Sequence, residues 1–312
     1  MRKSASTRAN RGTAMHRILV VDDEQAIRTM LQDFFEDTYA ITTAASGAEA
    51  LALLDREDFD MVISDINMPG LKGPELLWMI KERKPGIKTM LMTAYNVDDY
   101  IRMAKEYNIS NIIPKTVPFN YDEVGALVDG ILTERVFGLE RYLLPEGVVE
   151  NEYRITSSDD GTRVREELAS IITEKFGSVT DIKLIMDEII TNAIYHAPVG
   201  KDGAPKYREY APVRLEESEH VFVKWGHDAE KYGISIVDNQ GRLSMETVLY
   251  KIDRHTRGEG MLDDSGRGIH MSRLFADRMI INIKAGVKTE VIIMNYFSHT
   301  YRGYRPLYIN EL

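Results

Sequence analysis

The chain has 312 residues, 44% hydrophobic and 28% charged, an ordinary globular composition with room for two cores. A formal net charge of −10 argues against a general nucleic-acid surface, and therefore against direct DNA binding. The absence of cysteine excludes disulfides, thiolate metal sites and cysteine nucleophiles, and no run approaches the roughly 18 apolar residues of a membrane span. The expectation is a soluble, cytoplasmic protein.

Residues 1–15 carry four basic residues, no acidic ones and no apolar core of the kind a secretory signal needs, so they read as a disordered tail. From Arg17 the pattern alternates. Apolar runs at 17–21, 39–44, 61–64, 87–92 and 111–114 read as strands, and amphipathic stretches at 24–37, 46–56, 73–83, 97–108 and 121–135 read as helices. Strict βα alternation predicts a doubly wound parallel sheet with its site at the strands' carboxyl ends.

Polar residues fall at those ends. Asp22 and Asp23 follow the first run, Asp65 the third, Thr93 the fourth and Lys115 the fifth. A lone Asp after a strand is ordinarily a turn former or helix cap. Five polar groups at successive strand ends are not explained that way. Carboxylates converging from separate strands need a hard cation such as Mg2+ between them, and a carboxylate beside Mg2+ can attack phosphorus. With a hydroxyl and an ammonium added, the set makes a phosphoryl-transfer pocket.

These residues, VVDDE, D-I-N-M-P-G, Thr93-Ala94 and Lys115 in that order, resemble a response-regulator receiver domain over about 17–137. The resemblance implies that Asp65 accepts phosphate from a histidine kinase, that Asp22, Asp23 and Asp65 hold Mg2+, and that Thr93 and Lys115 contact the phosphoryl oxygens. There are two departures. Ile112 stands where the family usually has an aromatic switch residue, and the usual Lys-Pro dipeptide is spread out as Lys115-Thr116-Val117-Pro118.

Residues 121–144 read as one long helix with an apolar stripe of Val124, Leu127, Val128, Ile131, Leu132, Phe137 and Leu139, ended by Pro145-Glu146-Gly147. It is either the receiver's last helix extended, or a connector and dimer seam that admits a homodimer. The expected organisation is a tail (1–15), a receiver core (16–120), a last helix and connector (121–147), a second domain (148–300) and a C-terminal tail (301–312).

The second half changes pattern. A strand at 152–156 leads into helices near 162–176 and 180–196, then a long exposed loop at 198–220. On the second helix Glu188, Asn192 and His196 share one polar stripe, while Leu184, Ile185 and Ile189 can face a core. Strands at 220–224 and 232–237 follow, the latter ending at Asp238; a polar, flexible segment runs to Asp264. Ser265-Gly-Arg-Gly268 opens a helix at 269–277, exposing backbone N–H groups as a phosphate cradle, and strands at 278–284 and 289–297 close the domain.

Together these motifs resemble the GHKL ATP-binding fold, an α+β sandwich, and within it the anti-sigma-factor serine kinase branch, across about 148–298. The resemblance implies Mg2+ ligation by Asn192, a general base in Glu188, adenine recognition by Asp238, phosphate cradling at Gly266 and Gly268, and a matching Thr289. The family's D-x-G-x-G falls on Gln240 and Arg242, with Gly241 between them. The implied output is ATP-dependent serine phosphorylation of an anti-sigma antagonist, or a switch that binds a sigma factor. The alternative is a non-catalytic module that sequesters such a partner. A hybrid histidine kinase is rejected, because no histidine lies between His16 and His196 to serve as a phosphoacceptor before the ATP domain.

Overall fold

A computed structural model describes residues 15–177, 182–257 and 267–312, and the chain forms two compact units divided after Met92. In the first, β1 (Arg17–Val21), α1 (Gln25–Phe35), β2 (Ala40–Ala44), α2 (Gly47–Leu54), β3 (Met61–Asp65), α3 (Gly73–Arg83) and β4 (Lys88–Thr93) alternate as expected, β4 overrunning the boundary by one residue. The strand order is β2-β1-β3-β4 and every pairing is parallel. β1, β3 and β4 are buried almost throughout, which is why they read as continuous apolar runs rather than alternating ones. α2 starts where Ser46 Oγ accepts the Glu49 N–H (3.2 Å) and Glu49 returns a carboxylate oxygen to the Ala45 N–H (2.7 Å).

The second unit begins with a 3-10 turn (Val97–Tyr100) and α4 (Ile101–Glu106), then β5 (Asn111–Pro114), α5 (Tyr121–Thr133), β6 (Val148–Ile155), α6 (Ser158–Phe176) and α7 (Ile182–Thr191). It continues through β7 (Val221–His227), β8 (Lys231–Asp238), α8 (Met245–Thr256), α9 (Arg267–Phe275), β9 (Arg278–Lys284), β10 (Lys288–Tyr296) and β11 (Leu307–Glu311). The strand order is β5-β11-β9-β10-β8-β7-β6. The run from β9 to β6 is antiparallel; β11 lies parallel to β9 and antiparallel to β5.

Several expectations are corrected here. The stretch expected as one helix over 97–108 is a 3-10 turn capped by Asn96 followed by a short α4. The long helix over 121–144 stops at Thr133, because Glu134 turns left-handed (φ 56°) and closes it. Residues beyond it are irregular: Leu139 is fully buried, the Gly138 N–H donates to Glu290 (2.9 Å), and the Val136 carbonyl accepts from Asn282 (2.8 Å). The stripe read as a seam is therefore split, its later members packed inside this chain. Leu184, expected in a core, is exposed, whereas Ile185 and Ile189 are buried.

The segment read as flexible to Asp264 contains α8, started by Ser244 Oγ accepting the Thr247 N–H (3.2 Å) and held by buried Val248, Leu249 and Ile252. The expected tail at 301–312 contains β11, whose Leu307, Tyr308, Ile309 and Asn310 are all buried between two neighbouring strands. α4, β5 and α5 belong to the same compact unit as everything that follows them.

Candidate functional site

At the carboxyl edge of the first unit's sheet, Val21 of β1 lies opposite Ser64 of β3, so Asp22 and Asp65 are the next residues along two adjacent parallel strands. Asp22 is fully buried; its N–H donates to the Ala44 carbonyl (3.1 Å) and its Oδ1 accepts the Glu24 N–H (3.0 Å). Asp65 is buried, with Oδ2 accepting the Asn67 N–H at 2.6 Å. Asp23 is exposed beside them. α3 starts hard against the end of β3: a Cβ on Gly73 would fall 2.0 Å from the Asp65 carbonyl oxygen, so only glycine fits. Among the described residues no three His, Cys, Asp or Glu side chains form a ready-made metal cage.

In the second unit Thr93 is buried, its hydroxyl accepting the Tyr95 N–H (3.0 Å) and its carbonyl accepting the Lys115 N–H (2.7 Å). Thr93 and Lys115 are thus held together by their own backbones. The Val117–Pro118 peptide is cis. Ile112 is fully buried in β5 and lies opposite Leu307 of β11.

A cavity of about 180 Å3 lies in the second unit. Asn192, Asp238 and Thr289 line it, with Ile189, Ile236, Met279, Ile281 and Val291 supplying apolar walls. Asn192 opens a π turn (Asn192–His196) that continues α7; its Nδ2 donates to the Glu188 carbonyl at 2.7 Å. Such a widened turn re-aims side chains and is frequent at functional sites. His196 also lines the cavity, and its Nε2 lies 3.3 Å from Glu209. Asp238 ends β8, paired in register with Thr289 of β10. Burial pushes its carboxyl above the ordinary range, against the pull of the Gln240 and Gly241 N–H groups donating to Oδ1 at 2.8 and 3.1 Å.

Gly241 is required by geometry. Its φ is 57°, and a Cβ there would meet the Lys284 carbonyl oxygen at 2.4 Å. Glu188 is not among the cavity-lining residues, but a Cβ on Gly268 would come within 2.2 Å of its Oε2, so α9 packs directly on that carboxylate. Gly266 lies outside the described residues.

The chain matches the response regulator receiver domain over residues 18–127. It is 36% identical over 109 residues to sporulation initiation phosphotransferase F of Bacillus subtilis, covering 35% of this chain and 86% of that protein. This chain belongs to the response regulator receiver family. It is also 37% identical over 113 residues to the DNA-binding transcriptional regulator NtrC of Escherichia coli, covering 36% of this chain and 24% of NtrC. Among solved structures it resembles the response regulator protein TrrA of Thermotoga maritima in complex with Mg2+-BeF, at 39% identity, a TM-score of 0.34, and 37% and 97% coverage of the two chains. As a family member, this receiver has a histidine kinase as its phosphodonor. The family match ends within α5.

Three groups of residues were not picked out from sequence. Glu123 and Arg278 form a buried ion pair (2.7 and 2.8 Å) that Tyr296, Tyr308 and Asn120 complete. Arg273 of α9 bonds Asp98 (2.8 Å) and the Arg305 carbonyl (2.7 Å), and Lys105 bonds Asp253 of α8 (2.9 Å). Lys251 and Ser272 line the cavity. The first two groups join positions more than a hundred residues apart. A buried Arg or Glu was the only available signal, and its partner cannot be read from spacing.

Proposed function

We propose that this receiver controls an ATP-binding output unit of the GHKL type, which acts as an anti-sigma-type serine protein kinase or partner switch. The observation that carries the output reading is that Asn192, Asp238 and Thr289, drawn from α7's π turn, β8 and β10, line one largely apolar cavity. A planar base suits apolar walls with a few placed polar groups, and a buried carboxylate at a strand end can accept from an exocyclic amine. Asn192 is the residue that would face a nucleotide-bound Mg2+, and Glu188, one turn before it, is the candidate general base.

At the receiver, Asp65 is the phosphoacceptor. Its carboxylate oxygen bonds to phosphorus as the bond from phosphorus to the donor histidine's nitrogen breaks. Asp22, Asp23 and Asp65 fit a magnesium ion by donor chemistry, since they offer hard carboxylate oxygens and leave the rest of an octahedral shell to water and phosphoryl oxygens. Bound there, the ion would neutralise the charge on the transferring group. The Thr93 hydroxyl and Lys115 ammonium would donate to the phosphoryl oxygens, the second as a charge-assisted bond.

Two bridges support coupling between the receiver's later elements and the cavity. Asp98, five residues after Thr93, bonds Arg273 of α9, and Ser272 beside it lines the cavity. Lys105 of α4 bonds Asp253 of α8, which carries the cavity-lining Lys251. This route does not depend on the 121–147 connector. The proposed partners are an anti-sigma antagonist with a target serine, or a sigma factor. The second reading, sequestration without turnover, is favoured by Gln240 and Arg242 standing where the family has glycines.

The test is phosphorylation of the full chain by acetyl phosphate and Mg2+, followed by ATP titration calorimetry with and without beryllofluoride. Asp65→Asn is expected to gain no phosphoryl mass, and ATP affinity is expected to shift by about 5- to 150-fold on activation. A phosphorylated Asp65→Asn variant overturns the receiver assignment. Absence of ATP binding in both states overturns the kinase reading and leaves sequestration.

A further inference from the structure

The charges of α8 are not treated alike. Asp253 is buried between Lys105 (2.9 Å) and Arg257 (2.7 Å), and Arg254 reaches the Tyr250 hydroxyl (3.4 Å). Lys251 has no ion pair or hydrogen bond among the described residues, although it is half-buried and lines the cavity. Burial alone lowers its amine below the usual lysine range. A half-buried ammonium with no counter-charge is unfavourable unless something else supplies an anion.

The cavity wall shows the same lack elsewhere. Ser272 is fully buried and lines the cavity, and its hydroxyl has no hydrogen-bond partner among the described residues; Thr289, nearly as buried, lines the cavity beside Asp238. Buried polar atoms are almost always paired, so an orphan hydroxyl on the cavity wall beside an unpaired ammonium points to a ligand that completes both. The lining carries two cationic side chains, Arg242 and Lys251, against one carboxylate, Asp238. Arg242 is exposed and likewise has no partner among the described residues.

We propose that Lys251 is the anchor for the anionic group of the cavity's ligand, so that the site selects a nucleoside phosphate over the bare nucleoside. The inference rests on the nucleotide reading of this unit. It adds a helix-borne lysine to the phosphate cradle that the resemblance places at Gly266 and Gly268. The lysine fits the role physically, because its flexible stem can follow the ligand while its ammonium acts as a point charge.

The experiment uses the full chain and titrates adenosine, AMP, ATP with Mg2+, and inorganic pyrophosphate against wild type, Lys251→Met and Lys251→Arg. Methionine matches the stem without the charge. The expected result is that Lys251→Met weakens ATP by about 10-fold or more, as for loss of a charged hydrogen bond, and leaves adenosine within about twofold. Lys251→Arg should restore most of the ATP affinity. Unchanged ATP affinity in Lys251→Met, or equal losses for ATP and adenosine, overturns the assignment. If wild type binds neither adenosine nor ATP, the nucleotide reading has failed and pyrophosphate decides. Binding to wild type but not to Lys251→Met keeps Lys251 as the anion anchor; no pyrophosphate binding overturns it. A thermal melt of each variant confirms that folding is retained.

Discussion

Two polar regions of the second unit differ in one respect that separates structure from function. Around Glu123 every group is satisfied: both carboxylate oxygens accept from Arg278 Nε, and Asn120, Tyr296 and Tyr308 fill the remaining positions. Burial works against the charge of Arg278, but Glu123 more than compensates, and its affinity for the proton ends above the usual guanidinium range. Burial also drives the Tyr308 hydroxyl well above the ordinary tyrosine range. Around Asp238 the balance is reversed. Its carboxyl is pushed up by burial, Lys251 beside the same cavity is pushed down, and the Ser272 hydroxyl has no partner among the described residues. A closed polar network holds a fold in register. An open one waits for a ligand.

The largest expected effect tests the closed side. Arg278→Met leaves Glu123 buried and uncompensated, and should cost about 3–5 kcal/mol in urea unfolding. The double variant Glu123→Leu/Arg278→Met should recover much of that loss, because it removes both charges. If Arg278→Met unfolds like wild type, the network is not closed.

The opposite pattern is expected at Asp238. Asp238→Asn keeps an oxygen for the Gln240 and Gly241 N–H groups and removes a charge that burial disfavours, so stability at neutral pH should hold or rise. The sign follows from linkage. A carboxyl raised in the folded state gives stability that is present below its unfolded pKa and is lost as pH rises through the folded one. ATP affinity should nevertheless fall about 10-fold in this variant. In wild type it should decline on acidification at a pH above the ordinary carboxylate range. A variant that loses stability and keeps affinity would place Asp238 with the structural groups.

Asp160 provides a small-effect control between the two. Thr156 donates to its Oδ2 from both the hydroxyl (2.7 Å) and the N–H (3.1 Å), which, with the hydroxyl bond leading, holds the carboxyl down at about 2. This contribution is present above the unfolded value of about 3.9 and is lost as pH falls through about 2. Thr156→Val should raise the Asp160 pKa toward the ordinary value in an NMR titration, with little change in stability for so exposed a group. No rise would show that the hydroxyl bond is not the main cause.

How much of this was legible in the sequence differed by element. The first unit's strands and helices were read to within a few residues, because parallel strands buried on both faces appear as uninterrupted apolar runs and their ends as sudden polar residues. In the second half, Asn192, Asp238 and Thr289 were picked out from sequence, and the structure brings them to one cavity. Expectations failed where order came from distant partners. α8 looked polar because its buried apolar residues are only Val248, Leu249 and Ile252, and β11 looked like a tail because nothing local shows that two strands will enclose it.

By itself, then, the sequence determined what local chemistry determines: βα periodicity, the polar strand ends at Asp22, Asp65, Thr93 and Lys115, and the residue types of a second pocket. Tertiary structure alone decided which residues would be left without partners. Lys251 and Ser272 look no different in the sequence from any solvated lysine or capped hydroxyl. Only packing removes the water that would have satisfied them, and it does so by bringing α8 and α9 to one cavity wall, which no spacing encodes. For the same reason Glu123 and Arg278, 155 residues apart, became a pair only when α5 and β9 came together.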